Sequence, residues 1–369
     1  MAIYRPTIAN IHLDHITHNI EVIQKIIQNK SVIPVVKANA YGHGAIQVVE
    51  YLIKHGFNYF AVSLLEEALE LREKFTSIDI LVMGVIDGTV LKVCSDNNIT
   101  ITISDEFLAN EVLRTNYPLK CHIKYDSGMN RLGFKSNKVV LDLVNKLSNK
   151  GNVNLEGLYT HFATSDSDES YYLFQLNNFK TLLQDITYKF PMLHVSNSSS
   201  AIKYEKDIPE TTHVRLGISL YGLTLEKDVH FLKPVLVLKT KVVQIKPLKK
   251  NEYLGYGITY QAPKNELIGI LPIGYADGFI RKNQNGFVQI HDKTYKIIGR
   301  ICMDQTFIRI DESIKLNDEV LVMGSKLVTI DDVAKRLDTI NYEVICTITN
   351  RVPRIYMEKE NLYETECLF

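Results

Sequence analysis

The sequence has no excess of charge of either sign, because 42 lysine and arginine side chains balance 42 aspartate and glutamate side chains. A chain without a basic excess has no general electrostatic attraction for nucleic acid or for an anionic membrane. It also has no apolar run long enough for a membrane span. Residues 1–14 include Arg5, Asn10 and His12 and contain no apolar signal-peptide core, which favours a cytoplasmic location.

Cysteine is sparse and scattered. The five cysteines, at positions 94, 121, 302, 346 and 367, form no CxxC pair and no zinc-type spacing. We therefore expect free thiols in a reducing compartment and no metal site. No GxGxxG motif follows the first strand and no GxxxxGK[ST] motif occurs, which removes the best evidence for a dinucleotide or nucleoside triphosphate fold.

Short apolar runs alternate with amphipathic segments through the first 228 residues. After a strand at 8–13, the predicted strands are 32–36, 59–62, 78–83, 99–103, 119–124, 155–159, 193–196 and 213–215, and the predicted helices include 15–28 with Asp14 as N-cap, 65–75, 106–115, 138–149 and 171–188. About eight such units in this length favour a closed (β/α)8 barrel over an open doubly wound sheet.

Beyond residue 228 the pattern changes to β-rich segments separated by turn residues. The predicted strands lie within 234–243, 266–272, 287–291, 295–298, 307–310 and 319–323, and one helix is predicted at 330–337 with Thr329 as its cap. The expected architecture is therefore α/β. Residues 1–228 form an N-terminal (β/α)8 barrel that resembles a TIM barrel, and residues 229–369 form a C-terminal, mostly β domain.

Polar residues stand at the C-terminal ends of several predicted barrel strands: Lys37, Lys124, His161, Ser198 and Arg215. In a parallel barrel these ends meet at one mouth, where active sites are built. The serines at 198–200 and the glycine at 217 suit a bound phosphate. From the serines alone, an ordinary helix cap is an equal alternative.

A lysine nucleophile, an arginine and a phosphate site in one mouth indicate a Schiff-base enzyme that uses pyridoxal 5'-phosphate. A Schiff-base aldolase on the same fold is the alternative from this chemistry alone. Tyr256, between Gly255 and Gly257, is by itself better explained as an exposed aromatic residue in a turn, since the chain has twenty tyrosines.

The order and spacing of several motifs resemble bacterial alanine racemase, a fold type III pyridoxal-phosphate enzyme, over essentially the whole chain. The matching stretches are 36–44, 126–133, 160–163, 214–218 with 221–222, 255–257, 272–278, 299–305, and 340–343 with 351–354. The resemblance implies that the N-terminal strand, at about residues 2–13, joins the β domain. It also implies a homodimer whose active sites are shared between subunits.

The resemblance further implies site roles. Catalysis would use Lys37 of one subunit and Tyr256 of the other. Cofactor contacts are implied for Lys37, Tyr41, His161, Ser198, Arg215, Gly217, Ile218 and Tyr342, substrate contacts for Arg131 and Met303, and an entrance for Tyr275, Arg300, Arg281 and Asp166. Lys124 matches a lysine that is carbamylated in several members. Ser127 and Asn130 depart from the usual threonine and glycine, which bears on the geometry of the clamp that binds the substrate carboxylate.

The implied reaction is interconversion of L-alanine and D-alanine, which would supply D-alanine for cell-wall peptidoglycan. Racemisation removes a proton from one face of Cα and returns it to the other, so it needs two acid/base groups on opposite faces. The alternative is a serine or broad-specificity racemase. A decarboxylase of related fold is disfavoured by the motif at 255–257, and a non-catalytic carrier of pyridoxal phosphate is disfavoured by the β domain.

Overall fold

A computed structural model describes residues 4–359 and 361–366, which form two units. The barrel unit comprises residues 17–40 and 45–232, and the β unit comprises residues up to 16, residues 41–44 and those from 233 onward. Within the described ranges, no helix has the length and apolarity needed to cross a membrane. The cysteines at 94, 121 and 302 are free thiols, while Cys367 lies outside the described residues.

The chain first forms β1 (Ile8–His12), which belongs to the β unit, and then the strands of the barrel. These are β2 Ser31–Pro34, β3 Tyr59–Val62, β4 Asp79–Val82, β5 Ile99–Ile103, β6 Leu119–Lys124, β7 Val153–Tyr159, β8 Met192–His194 and β9 His213–Leu216. All pair in parallel, in the order β2-β9-β8-β7-β6-β5-β4-β3. A parallel bridge between Val35 and Ala61 joins the two ends of this sheet. The ring therefore closes, and the predicted (β/α)8 barrel is confirmed.

Helices connect the barrel strands. They are α1 Leu13–Ile27, α2 Ala45–Lys54, α3 Leu65–Lys74, α4 Leu91–Asp96, α5 Glu106–Arg114, α6 Asn137–Ser148, α7 Glu169–Asp185 and α8 Ser198–Lys203. The side chains of Asp105, Ser136 and Asp168 cap α5, α6 and α7 by accepting from backbone N–H groups. The expected Asp14 cap is wrong. Helix α1 begins directly after β1, so Asp14 lies inside its first turn, where a negative charge favours the helix dipole.

The backbone directly after Lys37 forms a left-handed helical turn instead of the ordinary loop that its glycines predict. Residues 38–41 all have φ between 52° and 53°. This conformation costs about 1–2 kcal/mol per residue for residues other than glycine. The N–H of Ala38 donates to the Glu67 carboxylate at 2.6 Å. Because that carboxylate belongs to α3, the bond anchors the first residue of the turn to a regular helix.

The β unit is made of three antiparallel or mixed sheets. Its further strands are β10 Leu236–Lys241, β11 Gln244–Leu248, β12 Tyr253–Leu254, β13 Tyr260–Gln261, β14 Glu266–Leu271, β15 Phe287–Ile290, β16 Lys293–Lys296, β17 Thr306–Ile310, β18 Glu319–Met323, β19 Arg354–Glu358 and β20 Asn361–Glu366. The sheets have the orders β16-β15-β18-β10-β1-β19-β20, β11-β14-β17 and β12-β13. Strand β1 lies between β10 and β19, antiparallel to the first and parallel to the second.

Two helices complete the β unit, α9 (Ile330–Leu337) and α10 (Asn341–Cys346). Thr329 caps α9 as predicted, since its Oγ1 accepts from the Asp332 N–H at 3.0 Å and the Asp332 carboxylate accepts from the Thr329 N–H at 2.9 Å. The expectation of a single helix in this unit is wrong. Helix α10 has six residues, too few to show a helical apolar period in the sequence.

Candidate active site

The mouth of the barrel is formed by the C-terminal ends of its strands. There, His161 lies among four cationic side chains. Arg215 Nη2 donates to His161 Nδ1 at 3.1 Å. The pKa of His161 is held well below its ordinary value, mainly by burial. Four positive charges lower it further, in the order Arg215, Lys124, Arg131 and Lys37. The ring is therefore neutral at neutral pH, and its Nδ1 accepts the bond from Arg215.

Arg215 is only 3% exposed and is fixed by the strands around it. Its Nη1 donates to His194 Nδ1 at 2.6 Å and to the His194 carbonyl at 2.8 Å. Its Nη2 donates to the carbonyls of Thr160 and Val195 at 2.8 and 2.9 Å. Burial lowers the pKa of Arg215 to about 10, so it stays charged at neutral pH. All the hydrogen bonds that it makes to described residues use Nη1 and Nη2, which leaves Nε as its remaining donor.

Lys124 is almost fully buried, with 4% of its surface exposed. Its Nζ lies 4.5 Å from the centroid of the Tyr159 ring. Burial, and after it the charges of Arg215 and Arg131, lower the pKa of Lys124 to about 7, and Asp126 acts in the opposite direction. A large fraction of this amine is therefore neutral at neutral pH, and a neutral amine is a nucleophile.

Backbone N–H groups converge on the hydroxyl of Ser198, the first residue of α8. Ser198 Oγ accepts from the N–H groups of Gly217 and Ser219, each at 3.2 Å. Gly217 directly precedes a 3₁₀ turn, Ile218–Tyr221. Ser219 Oγ is buried and has no hydrogen-bond partner among the described residues. We call the N–H groups of residues 217–219 the amide row. With two hydroxyls beside it, this row suits a phosphate group.

The segment that carries Arg131 is folded around Asp126, whose carboxylate accepts from the Asn130 N–H at 3.0 Å. Asn130 has a φ of 58°, a left-handed conformation that asparagine adopts more readily than most residues. Ser127 Oγ bonds Thr160 Oγ1 at 2.8 Å. The two departures from the family pattern, Ser127 and Asn130, are thus compatible with an ordered turn. Arg131 follows this turn, and its side chain is exposed.

Tyr256 is 72% exposed and lies in a loop of the β unit between two glycines with positive φ. A Cβ on Gly257 would lie 2.7 Å from Arg300 Nη1, so this glycine lets the loop rest directly on the arginine. Arg300 and Arg281 line one surface pocket. Three of the predicted residues therefore lie on one surface of the β unit.

The segments that carry Met303 and Tyr275 are joined by main-chain hydrogen bonds in the β unit. The Tyr275 N–H donates to the Cys302 carbonyl and the Ala276 N–H to the Met303 carbonyl, both at 3.1 Å. A Cβ on Gly274 would lie 2.3 Å from the Met303 oxygen, so the close approach requires glycine. Met303 and Tyr275 are 52% and 41% exposed.

Tyr41 and Tyr342 are neighbours in the β unit, with ring centroids 6.2 Å apart. The segment after Tyr41 is fixed by Arg354, whose Nε and Nη2 donate to the Gly42 carbonyl at 3.2 and 3.1 Å. Asp166, by contrast, is exposed and makes no hydrogen bond or ion pair with a described residue that would tie it to the other predicted site residues.

Two residues around Arg215, His194 and Tyr159, are absent from the predicted set. His194 accepts the shortest of the Arg215 bonds, and the Arg215 guanidinium lies 5.2 Å from the centroid of the Tyr159 ring. Both end a barrel strand, as does Lys124, and Arg215 is the last residue but one of β9. Strand-end position was the available signal, and applying it to aromatic side chains as well as charged ones would have found both.

Comparison with known proteins gives a consistent result. A family model described as the alanine racemase N-terminal domain matches residues 11–225, and one described as the C-terminal domain matches residues 235–356. An alanine racemase of Anoxybacillus flavithermus is 37% identical over 378 residues, covering 98% of both chains. A solved alanine racemase structure from Clostridium difficile 630 aligns with a TM-score of 0.93 at 36% identity, covering 100% of both chains.

A solved histidine racemase from Leuconostoc mesenteroides subsp. sake is also similar, with a TM-score of 0.88 at 28% identity over 96% of this chain and 99% of that one. These similarities agree with the closed barrel, its cation-rich mouth and the β unit. Together they define an amino acid racemase, and racemases are isomerases. The chain belongs to the alanine racemase family, whose two models together match most of its length.

Proposed function

We propose that this protein interconverts L-alanine and D-alanine with pyridoxal 5'-phosphate as cofactor. The observation that carries the proposal is the mouth of the barrel, where Lys37 follows β2 and its charge acts on His161 together with that of the buried Arg215. Membership of the alanine racemase family supports alanine as the substrate.

The donor groups of the barrel unit fit this cofactor. Lys37 offers a half-buried primary amine for covalent attachment. The amide row and the hydroxyls of Ser198 and Ser219 suit the phosphate, and Ser219 Oγ has no other partner among the described residues. The Nε–H group of Arg215 would be available to donate to the ring nitrogen of the cofactor. When bound, the cofactor supplies a conjugated ring that delocalises the electron pair left on Cα after proton removal.

The family resemblance assigns the remaining contacts. Tyr41 and Tyr342 would add to the phosphate site, while Arg131 and the Met303 N–H would bind the substrate carboxylate. Arg215 keeps its proton at neutral pH, because its pKa is about 10. It would therefore donate a hydrogen bond to the ring nitrogen of the bound cofactor without protonating it. This limits electron withdrawal and favours return of the proton to Cα over competing reactions.

The two proton-transfer groups would be Lys37 Nζ and Tyr256 Oη, on opposite faces of the substrate Cα. Tyr256 is highly exposed on the β unit. We propose that it is supplied by the other subunit of a homodimer, as the resemblance implies. A single chain would then lack one of the two groups that racemisation needs.

The substrate is tested by incubating the protein with L-alanine, L-serine or L-histidine and separating the products by chiral chromatography. We expect D-alanine to form at least about 10-fold faster than the other D-amino acids, because a site that binds the methyl group of alanine would discriminate against larger side chains. Histidine is included because a structural relative is a histidine racemase. Comparable rates for alanine and serine would favour the broad-specificity alternative, and no D-product from any of the three would overturn the proposal.

Carbamylation of Lys124 is a second expected result, because its buried amine has a pKa of about 7. A neutral amine adds carbon dioxide, and the neutral fraction rises as the pH rises through the pKa. In ¹³C-bicarbonate we expect one carbamate resonance whose intensity increases from about pH 6 to about pH 8. Carbon-13 NMR of the wild type and of Lys124→Met provides the measurement. A resonance that persists in Lys124→Met would contradict the assignment.

A further inference from the structure

A row of buried polar side chains runs away from Arg215 through the interior of the barrel unit. Arg215 Nη1 contacts His194 Nδ1 at 2.6 Å, and His194 Nε2 contacts His122 Nδ1 at 2.9 Å. His122 Nε2 then contacts the Tyr59 hydroxyl at 3.2 Å. Both histidines are 0% exposed. We call these four residues the histidine chain.

The direction of every bond in the histidine chain follows from one fact: a guanidinium can donate but cannot accept. His194 Nδ1 must therefore be the acceptor, which leaves the hydrogen of a neutral ring on Nε2. That hydrogen is donated to His122 Nδ1. His122 in turn carries its hydrogen on Nε2 and donates to Tyr59. A single cation thus fixes both histidine tautomers.

The electrostatics agree with two neutral rings. Burial, and then the positive charge of Arg215, hold the pKa of His194 well below its ordinary value. Burial lowers the pKa of His122 to about 3. The far end of the chain approaches a carboxylate, because His122 Nε2 is 3.9 Å from Glu156 Oε2. A cation at one end and an acidic group at the other favour the same bond direction.

The sheet is shaped to hold the His122 ring. Between β6 and β7 the pairing shifts from Cys121 opposite Leu155 to His122 opposite Gly157, which leaves Glu156 as the extra residue of a bulge. A Cβ on Gly157 would lie 2.5 Å from His122 Nδ1. Gly157 does not have a positive φ, so what glycine provides here is space for the ring.

We propose that His194 and His122 are positioning residues whose fixed tautomers hold the Arg215 guanidinium so that Nε faces the cofactor ring nitrogen. The inference rests on the proposed function for the identity of that cofactor. His122 acts through His194. If His194 carried its hydrogen on Nδ1, two donors would face each other at the shortest Arg215 bond. The Nδ1 acceptor of His122 prevents this by keeping the His194 hydrogen on Nε2.

The tautomers are tested directly by ¹⁵N NMR of the histidine-labelled holoenzyme, without reference to activity. We expect two neutral rings, each with hydrogen on Nε2, that do not titrate between about pH 5 and about pH 9. The His194→Asn and His122→Asn variants assign the signals. Hydrogen on Nδ1 of either ring, or titration of either ring near its ordinary value, would overturn the proposal.

The positioning role is tested by three substitutions and a matched control. His122→Leu removes the acceptor, Gly157→Ala pushes the ring away, and His122→Asn keeps an oxygen that can accept from His194. Gly151→Ala is the control, because nothing lies within 4 Å of a Cβ at that glycine. For His122→Leu and Gly157→Ala we expect kcat to fall about 10-fold, as for other residues that orient a ligand through a second group, with little change in KM.

The visible absorbance of the bound cofactor should shift in the same two variants, because its ring nitrogen loses a well-placed donor. His122→Asn should recover part of kcat, and Gly151→Ala should match the wild type. If Gly157→Ala does not fold, the double variant His122→Ala with Gly157→Ala is measured instead. Removing the His122 ring leaves space for the methyl group of Ala at position 157. The proposal would be overturned if folded His122→Leu kept the wild-type kcat and absorbance. It would also be overturned if the kcat of His122→Asn were no higher than that of His122→Leu. If the wild type does not racemise alanine, the proposed function fails, and the absorbance and NMR results still decide the positioning role.

Discussion

Replacing Lys37 with alanine is expected to abolish racemisation, with a loss of at least about 10,000-fold, because the same amine is proposed both to attach the cofactor and to move a proton. The visible absorbance of the attached cofactor should disappear with the activity. The measurement is a racemase assay and an absorbance spectrum on the purified variant with pyridoxal phosphate added.

Lys54→Ala is the matched control for this substitution. Lys54 ends α2, is more than half exposed and pairs with Glu50 at 2.8 Å on the helix surface. We expect full activity from that variant. In the wild type, borohydride reduction and peptide mapping should find the cofactor on Lys37. Lys124 is the informative competitor, because its pKa of about 7 leaves about half of its amine neutral at pH 7. Label on Lys124 would contradict the assignment.

The strained turn after Lys37 is held in place by hydrogen bonds to its neighbours. Residues 38–41 share a left-handed conformation that non-glycine residues avoid, so neighbouring contacts must maintain it. In the barrel unit, Asn39 Oδ1 accepts from the Ala45 N–H at 2.7 Å and Glu67 accepts from the Ala38 N–H. The sequence could not predict this turn. Alanine is among the strongest right-handed helix formers, and the glycines nearby indicated only a flexible loop.

Much of the barrel was predictable because its strands are short apolar runs. Strands β3, β5 and β6 have the predicted bounds. Counting the repeats predicted closure, which the bridge between Val35 and Ala61 confirms. The charged residues of the mouth were also predictable, since a charge at the end of a buried strand is conspicuous. Lys124 and Arg215 were found in this way.

The place of His122 in the histidine chain was not predictable, because this residue lies within a run that looks apolar. His122 stands between Cys121 and Ile123, and nothing in the sequence shows that its ring reaches His194, which lies 72 residues later. The bulge that accommodates it depends on pairing between β6 and β7. The glycine at 157 resembles any strand glycine until the ring that fills its space is seen. The position of the His122 ring depends on contacts between strands that are far apart in the sequence.

Replacing Tyr256 with phenylalanine is expected to reduce racemisation by about 1,000-fold, because the hydroxyl is proposed to be one of the two groups that move a proton. The ring stays, so the fold of the loop between Gly255 and Gly257 should be unchanged. Cofactor attachment should also persist, since Lys37 is intact. Tyr253→Phe is the matched control: it removes the hydroxyl of a residue in β12 that is 54% exposed, and we expect it to retain activity.

Mixing the two inactive variants tests whether the site is shared between subunits. If Tyr256 acts on a substrate held by the partner's Lys37, each heterodimer of Lys37→Ala with Tyr256→Phe has one complete site and one that lacks both groups. Random exchange in a two-fold symmetric dimer makes about half of the dimers mixed, so about a quarter of the wild-type activity should return. Native mass spectrometry confirms the mixed dimers. If they form without activity, both residues act within one chain, and the exposed position of Tyr256 would then need another explanation.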